Sequence, residues 1–155
     1  MNRILAEDND SCMFTTVFCA ILDTETGELR FSNAGHNPPL VLDSQGVRYL
    51  RLKPGVVLGP LPDSVYQTEG MKLQPGDVLF LYTDGVTEAK NRQEELYGEP
   101  RLLEAVTQGP KARLADMVHF IRAEVVRHAD GAQQSDDVTM LAIKYLGAAT
   151  NADKK

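Results

Sequence analysis

The rhythm of apolar and polar positions changes near residue 85. Between residues 13 and 82, short β-branched and aromatic runs at 13–22, 29–32, 39–42, 47–52 and 78–82 alternate with Gly, Pro, Asp and Asn. That spacing predicts an antiparallel meander. Thr24-Glu-Thr-Gly27 and Asp43-Ser-Gln-Gly46 each end a polar tetrad on glycine, the residue that takes φ > 0 without steric cost, so both are predicted hairpin turns. Gln74-Pro-Gly-Asp77 is a third turn signal, with proline presetting φ ahead of glycine. The run Val78-Leu-Phe-Leu-Tyr82 is apolar at both parities and predicts a central strand buried on both faces.

Beyond Gly85 the period lengthens. Residues 100–107 and 114–128 have helical spacing, and Leu114, Met117, Val118, Ile121 and Val125 fall on one stripe. Arg113, Asp116, Arg122 and Glu124 mostly lie off it, which predicts a helix laid on a sheet. Residues 138–146 return to strand character, whereas 147–155 form a small, polar tail without a core signal. Strands first, then helices and one more strand, is an α+β order.

Composition narrows the class. The chain has 155 residues, 43% hydrophobic and 25% charged, which excludes wholesale disorder and fibrous repeats and suits one domain burying roughly 68–70% of its unfolded surface. The 16 basic and 22 acidic side chains give a net charge of −6, which argues against broad nucleic-acid binding; an anionic substrate would need local cations. No apolar run approaches the length of a membrane span and no signal pattern opens the sequence, so a cytoplasmic protein without membrane contact is expected. Cys12 and Cys19, read as members of one strand, would lie some 23 Å apart at about 3.3 Å per residue, unable to bridge, and are expected as buried thiols.

Three acids stand at strand ends. Asp84 follows the apolar strand and precedes Gly85, a residue that lets backbone or ligand come close, while Asp136 and Asp137 precede the last strand. If those strands are antiparallel neighbours, the acids converge at one sheet edge. Gathered carboxylates repel, and a divalent cation removes the conflict, with oxygen-only ligation favouring Mg²⁺ or Mn²⁺ over zinc. The competing reading is that Asp-Gly is a turn and Asp136 and Asp137 are turn or cap residues.

Three motifs in order, Phe31-Ser-Asn-Ala-Gly-His-Asn-Pro-Pro-Leu40, Leu81-Tyr-Thr-Asp-Gly-Val-Thr-Glu-Ala89 and Gln134-Ser-Asp-Asp-Val-Thr-Met140, resemble the SpoIIE/RsbU-type bacterial serine phosphatases of the PP2C-like superfamily. Pro54-Gly55, Leu58-Gly59 and Leu96-Tyr-Gly98 agree as well. The resemblance implies a PP2C-like sandwich of antiparallel sheets flanked by helices, represented here by residues 1–146 with its N-terminal part missing. It implies a dinuclear Mn²⁺ or Mg²⁺ site, where a water acidified by the cations attacks a phosphoserine or phosphothreonine in line without a covalent phosphoenzyme. Asp84 and Asp136 would be ligands, Asp137 an alternative or supporting one, and Gly85 part of the cofactor-binding loop.

Within Asn33-Ala-Gly-His-Asn-Pro, His36 occupies a place where related eukaryotic phosphatases tend to carry Asp. Two readings of Asn33 and His36 stay open: contact with phosphate, acid catalysis or an extra metal on one side, a tight turn held by side chains on the other. His119 and His128 are expected to be solvated. The Gly-His-Gly turn and preceding acid of the family have no counterpart before Met13, so the chain alone is expected to be nearly inactive. The implied partner is a phosphoprotein of the anti-sigma-factor antagonist type, with a sensor or receiver domain upstream. A non-catalytic module, dimerising through unpaired strand edges, is the competing function.

Overall fold

The structure is a computed structural model that describes residues 1–53, 55–134 and 136–148. In chain order its elements are α1 (Asn2–Ala6), β1 (Val17–Leu22), β2 (Glu28–Ala34), β3 (Leu40–Asp43), β4 (Gly46–Tyr49), β5 (Glu69–Lys72), β6 (Val78–Tyr82), α2 (Asp84–Thr87), α3 (Gly98–Gln108), α4 (Leu114–Ala129) and β7 (Met140–Lys144). They fall into two compact units, one built on Met1–Asn37 with Arg51–Pro75, the other on Pro38–Leu50 with Gly76–Leu146. None of the described helices is long and apolar enough to cross a membrane.

The first unit holds an antiparallel sheet of order β1-β2-β5. Its hairpin turns where the Thr24–Gly27 tetrad predicts. Asp23 Oδ1 accepts the amides of Glu25 (2.9 Å) and Thr26 (3.0 Å), and Gly27 stands at φ 77°. Those amide bonds, that of Thr26 first, hold the Asp23 carboxyl below the usual carboxylate range. Leu29 and Phe31 of β2 are buried, whereas Ile21 on the edge strand β1 is exposed.

The second unit holds an antiparallel sheet of order β4-β3-β6-β7, so the strand apolar at both parities is indeed interior. Leu40 and Leu42 of β3 and Val78, Phe80 and Tyr82 of β6 form one core with Leu102, Ala105 and Val106 of α3. Met117, Ile121 and Val125 of α4, the middle and end of the predicted stripe, complete it. The opposite parity, Val41 and Leu79, is buried too. Asp43 closes the β3–β4 turn by accepting the Gln45 amide at 2.8 Å and pairing with Arg48 at 2.8 Å.

Several expectations change. The first strand starts at Val17 rather than Met13; Thr15 makes only an isolated bridge to Leu58, and Cys12 sits at φ 52° outside the strand. Both cysteines are exposed free thiols instead of buried ones, Cys19 because it pairs with Ser32, at the parity opposite to the buried Leu29 and Phe31. β5 has no β-rich run and forms by pairing Glu69–Lys72 with β2. The expected tail beyond residue 148, together with Pro54 and Ser135 of the motifs, lies outside the described residues.

Candidate functional site

The antiparallel register of β6 and β7, ending at Tyr82 opposite Met140, carries the chain after β6 alongside the chain before β7. Thr83 joins them. Its amide donates to Thr139 O (3.1 Å), its hydroxyl donates to Asp137 O (2.8 Å), and the same Oγ1 accepts the Thr139 amide (3.0 Å). Gly85 then allows a backbone approach that no side chain would: a β-carbon there would lie 2.5 Å from Asp137 O and 3.2 Å from Asp136 O. β6 and β7 are antiparallel neighbours, the condition on which the three acids are expected to converge, and the loops that carry them meet through their backbones.

Local hydrogen bonds shape each acid. Asp84 opens the single turn α2, its Oδ1 accepting the Gly85 amide (3.0 Å) and its carbonyl accepting the Thr87 hydroxyl (3.2 Å) and the Glu88 amide (2.8 Å). Asp136 Oδ1 accepts the Asp137 amide (2.7 Å), and Gln134 Nε2 donates to Asp136 O (2.7 Å). Asp84, Asp136 and Asp137 are all exposed, and among the described residues none is paired with a basic side chain. Unneutralised hard oxygen donors on two joined loops match the ligand preference of Mg²⁺ or Mn²⁺ in kind. They do not make a full cage, since no group of three or more His, Cys, Asp or Glu among the described residues is close enough to hold an ion, but Mg²⁺ needs only one or two carboxylates and keeps water in its remaining positions.

Asn33 and His36 belong to the first unit. Asn33 is the next-to-last residue of β2 and donates from Nδ2 to His36 O (3.0 Å), closing a turn in which Gly35 stands at φ 73°. A β-carbon on Gly35 would meet Val57 Cγ1 at 2.8 Å. His36 Nδ1 lies 3.0 Å from Thr16 Oγ1, while Asn33 Oδ1 is buried without a partner. The turn is thus held by side chains, as one of the two sequence readings has it.

Of the remaining histidines, His119 is exposed as expected, whereas His128 is only half-exposed. Its Nε2 lies 3.0 Å from Glu95 O and its ring stands edge-on to Tyr97 at 5.4 Å, because the 90–97 loop folds back against the end of α4. Thr83 and Thr16 escaped the sequence reading. A hydroxyl-bearing β-branched residue beside a strand-end acid is the only trace Thr83 leaves.

A family model described as Stage II sporulation protein E (SpoIIE) matches residues 1–146. Protein IcfG of Synechocystis sp. (strain ATCC 27184 / PCC 6803 / Kazusa) is 36% identical over 140 residues, covering 90% of this chain and 22% of IcfG. Phosphoserine phosphatase RsbU of Bacillus subtilis (strain 168) is 27% identical over 145 residues, covering 93% of this chain and 43% of RsbU. The chain therefore spans less than half the length of either relative. Among solved structures, the phosphatase domain of the cell fate determinant SpoIIE from Bacillus subtilis, presoaked with Mn, superposes with a TM-score of 0.67 at 17% identity, covering 88% of this chain and 58% of that one. With antiparallel sheets and helices arranged as in PP2C phosphatase domains, and a family match running through all three motifs, the chain belongs to the SpoIIE family.

Proposed function

We propose that this chain is part of a metal-dependent protein serine/threonine phosphatase that acts on a phosphorylated signalling protein of the anti-sigma-factor antagonist type. The observation that carries the reading is the union of the Asp84 loop with the Asp136–Asp137 loop through Thr83 and Gly85. Asp84 and Asp136 would hold the cation, with Asp137 as the alternative donor, and Gly85 keeps the space between the loops free of a side chain. When bound, Mn²⁺ or Mg²⁺ would acidify water and offset charge on the phosphate oxygens. Asn33 fixes the backbone of His36 in the 33–36 turn, where His36 is the candidate for phosphate contact. The naming of RsbU as a phosphoserine phosphatase and the Mn-presoaked SpoIIE domain support the substrate class and the metal.

The test is an upstream-extended form of the protein assayed on a phosphoserine protein with Mn²⁺. Turnover is expected, and Asp84→Asn is expected to lower it at least about a hundredfold, since even residues that merely support metal ligands are worth 10–100-fold. An unchanged rate in Asp84→Asn would sink the proposal. The competing reading, a non-catalytic dimerising module, draws on the shortage of gathered ligands and on the edge strands β1 and β7, where Ile21 and Leu141 are exposed. Titration calorimetry with Mn²⁺ beside a sizing column separates the two: no heat with a stable dimer favours the module.

A further inference from the structure

We propose that Thr16 is the positioning residue of His36: its hydroxyl donates to Nδ1, holds the neutral ring as the Nε2–H tautomer, and so presents an N–H donor to a phosphate oxygen. The second half of this proposal rests on the phosphatase reading above; the first half does not.

The geometry begins with the strands. Val17 opposes Ala34 in the β1–β2 ladder and also bridges Gly35, which brings Thr16, the residue just ahead of β1, against the 35–36 turn. Thr16 Oγ1 and His36 Nδ1 then meet at 3.0 Å in a partly buried contact. The turn cannot easily swing away. Asn33 Nδ2 holds His36 O, and Gly35 is in the left-handed region with Val57 packed where a side chain would go.

A threonine hydroxyl carries one proton and two lone pairs, whereas a neutral imidazole has one N–H and one bare nitrogen. Were Nδ1 to donate, the Thr16 proton would need another acceptor, and among the described residues the Thr16 hydroxyl has none besides this ring. If Thr16 donates instead, both groups of this partly buried contact are satisfied within the fold. The ring proton then resides on Nε2. That nitrogen makes no hydrogen bond within the described residues and is not among their buried unpartnered atoms, so it meets solvent. An outward neutral N–H suits a phosphate monoester oxygen as a donor. The tautomer of a functional histidine is commonly set by the partner of its other nitrogen, and here that partner is Thr16.

Long-range ¹H–¹⁵N NMR of the chain, at a pH where imidazole is neutral, reads the tautomer directly. Nδ1 of His36 is expected at the bare-nitrogen position and Nε2 at the protonated one, with His119 and His128 as internal references. Thr16→Val should move His36 toward a mixture of tautomers, leave the other two histidines in place, and be reversed by Thr16→Ser. A wild-type ring protonated at Nδ1, or a His36 pattern unmoved in Thr16→Val, would overturn the positioning role. Inorganic phosphate is then titrated with Mg²⁺ present. The Nε2 resonance should shift to saturation, with the midpoint raised severalfold in Thr16→Val. No shift would overturn the phosphate-facing half alone; the phosphatase reading is judged separately, by turnover in the extended protein and its loss in Asp84→Asn.

Discussion

At the scale of single residues, the candidate site depends on what is missing from position 85 as much as on the acids around it. Any β-carbon there would press on the carbonyl oxygens of Asp137 and Asp136, which are backbone and cannot rotate aside. Gly85→Ala is therefore expected to destabilise the chain by about 1–3 kcal/mol, the range for forcing extra volume into a filled site. Urea unfolding should show a lower midpoint at an unchanged slope. An unshifted midpoint would mean the two loops are not held together there. Asp84 and Gly85 are legible in the sequence because an acid and a glycine at the end of an apolar run is a local signal. Thr83 is not, since its hydroxyl finds partners 54 and 56 residues downstream and nothing local announces them.

At the scale of elements, the helix α4 shows how far periodicity reaches. Its stripe predicts Ile121 and Val125 as core positions, and Ile121 is fully buried against the second sheet while Val126, one residue off the stripe, is 61% exposed. Ile121→Ala is expected to cost about 2–5 kcal/mol through lost burial and the cavity left behind. Val126→Ala, on the same helix, should stay within about 0.5 kcal/mol. Thermal or urea unfolding of both variants checks the contrast, and equal effects would contradict the placement of α4. β5 lies at the other extreme. Glu69-Gly-Met-Lys72 contains a glycine and two charges, a composition that disfavours strand, and it is extended because β2 offers it an open edge. The single-strand reading of Cys12 and Cys19 failed for a related reason: the β-rich run from Met13 finds a continuous partner only from Val17 onward.

At the scale of the whole molecule, burial of phenols predicts how the fold responds to alkali. Burial pushes the Tyr97 hydroxyl up to about 12 and raises Tyr49 as well, with Tyr82 beside Tyr49 adding to the effect. Both residues favour the neutral form in the folded state, so the stability they supply is present below the ordinary value of 10.0; the Tyr97 share is lost as pH rises through about 12, and the Tyr49 share declines in the same direction. The urea midpoint should fall across that window, and a Tyr49→Phe/Tyr97→Phe variant should fall less steeply. An equal slope in the variant would exclude these phenols as the cause. The amino-acid sequence by itself determined the alternation, the hairpin turns, the two long helices and the three motifs that mark the SpoIIE family, because each depends on neighbours within a few positions. Tertiary structure alone decided that β6 lies between β3 and β7, that Thr83 ties residue 84 to residues 136–137, that Thr16 meets His36, and that the cysteines face solvent. Those outcomes are set by pairings between segments remote in sequence, and such a pairing leaves no periodic trace in either segment read alone.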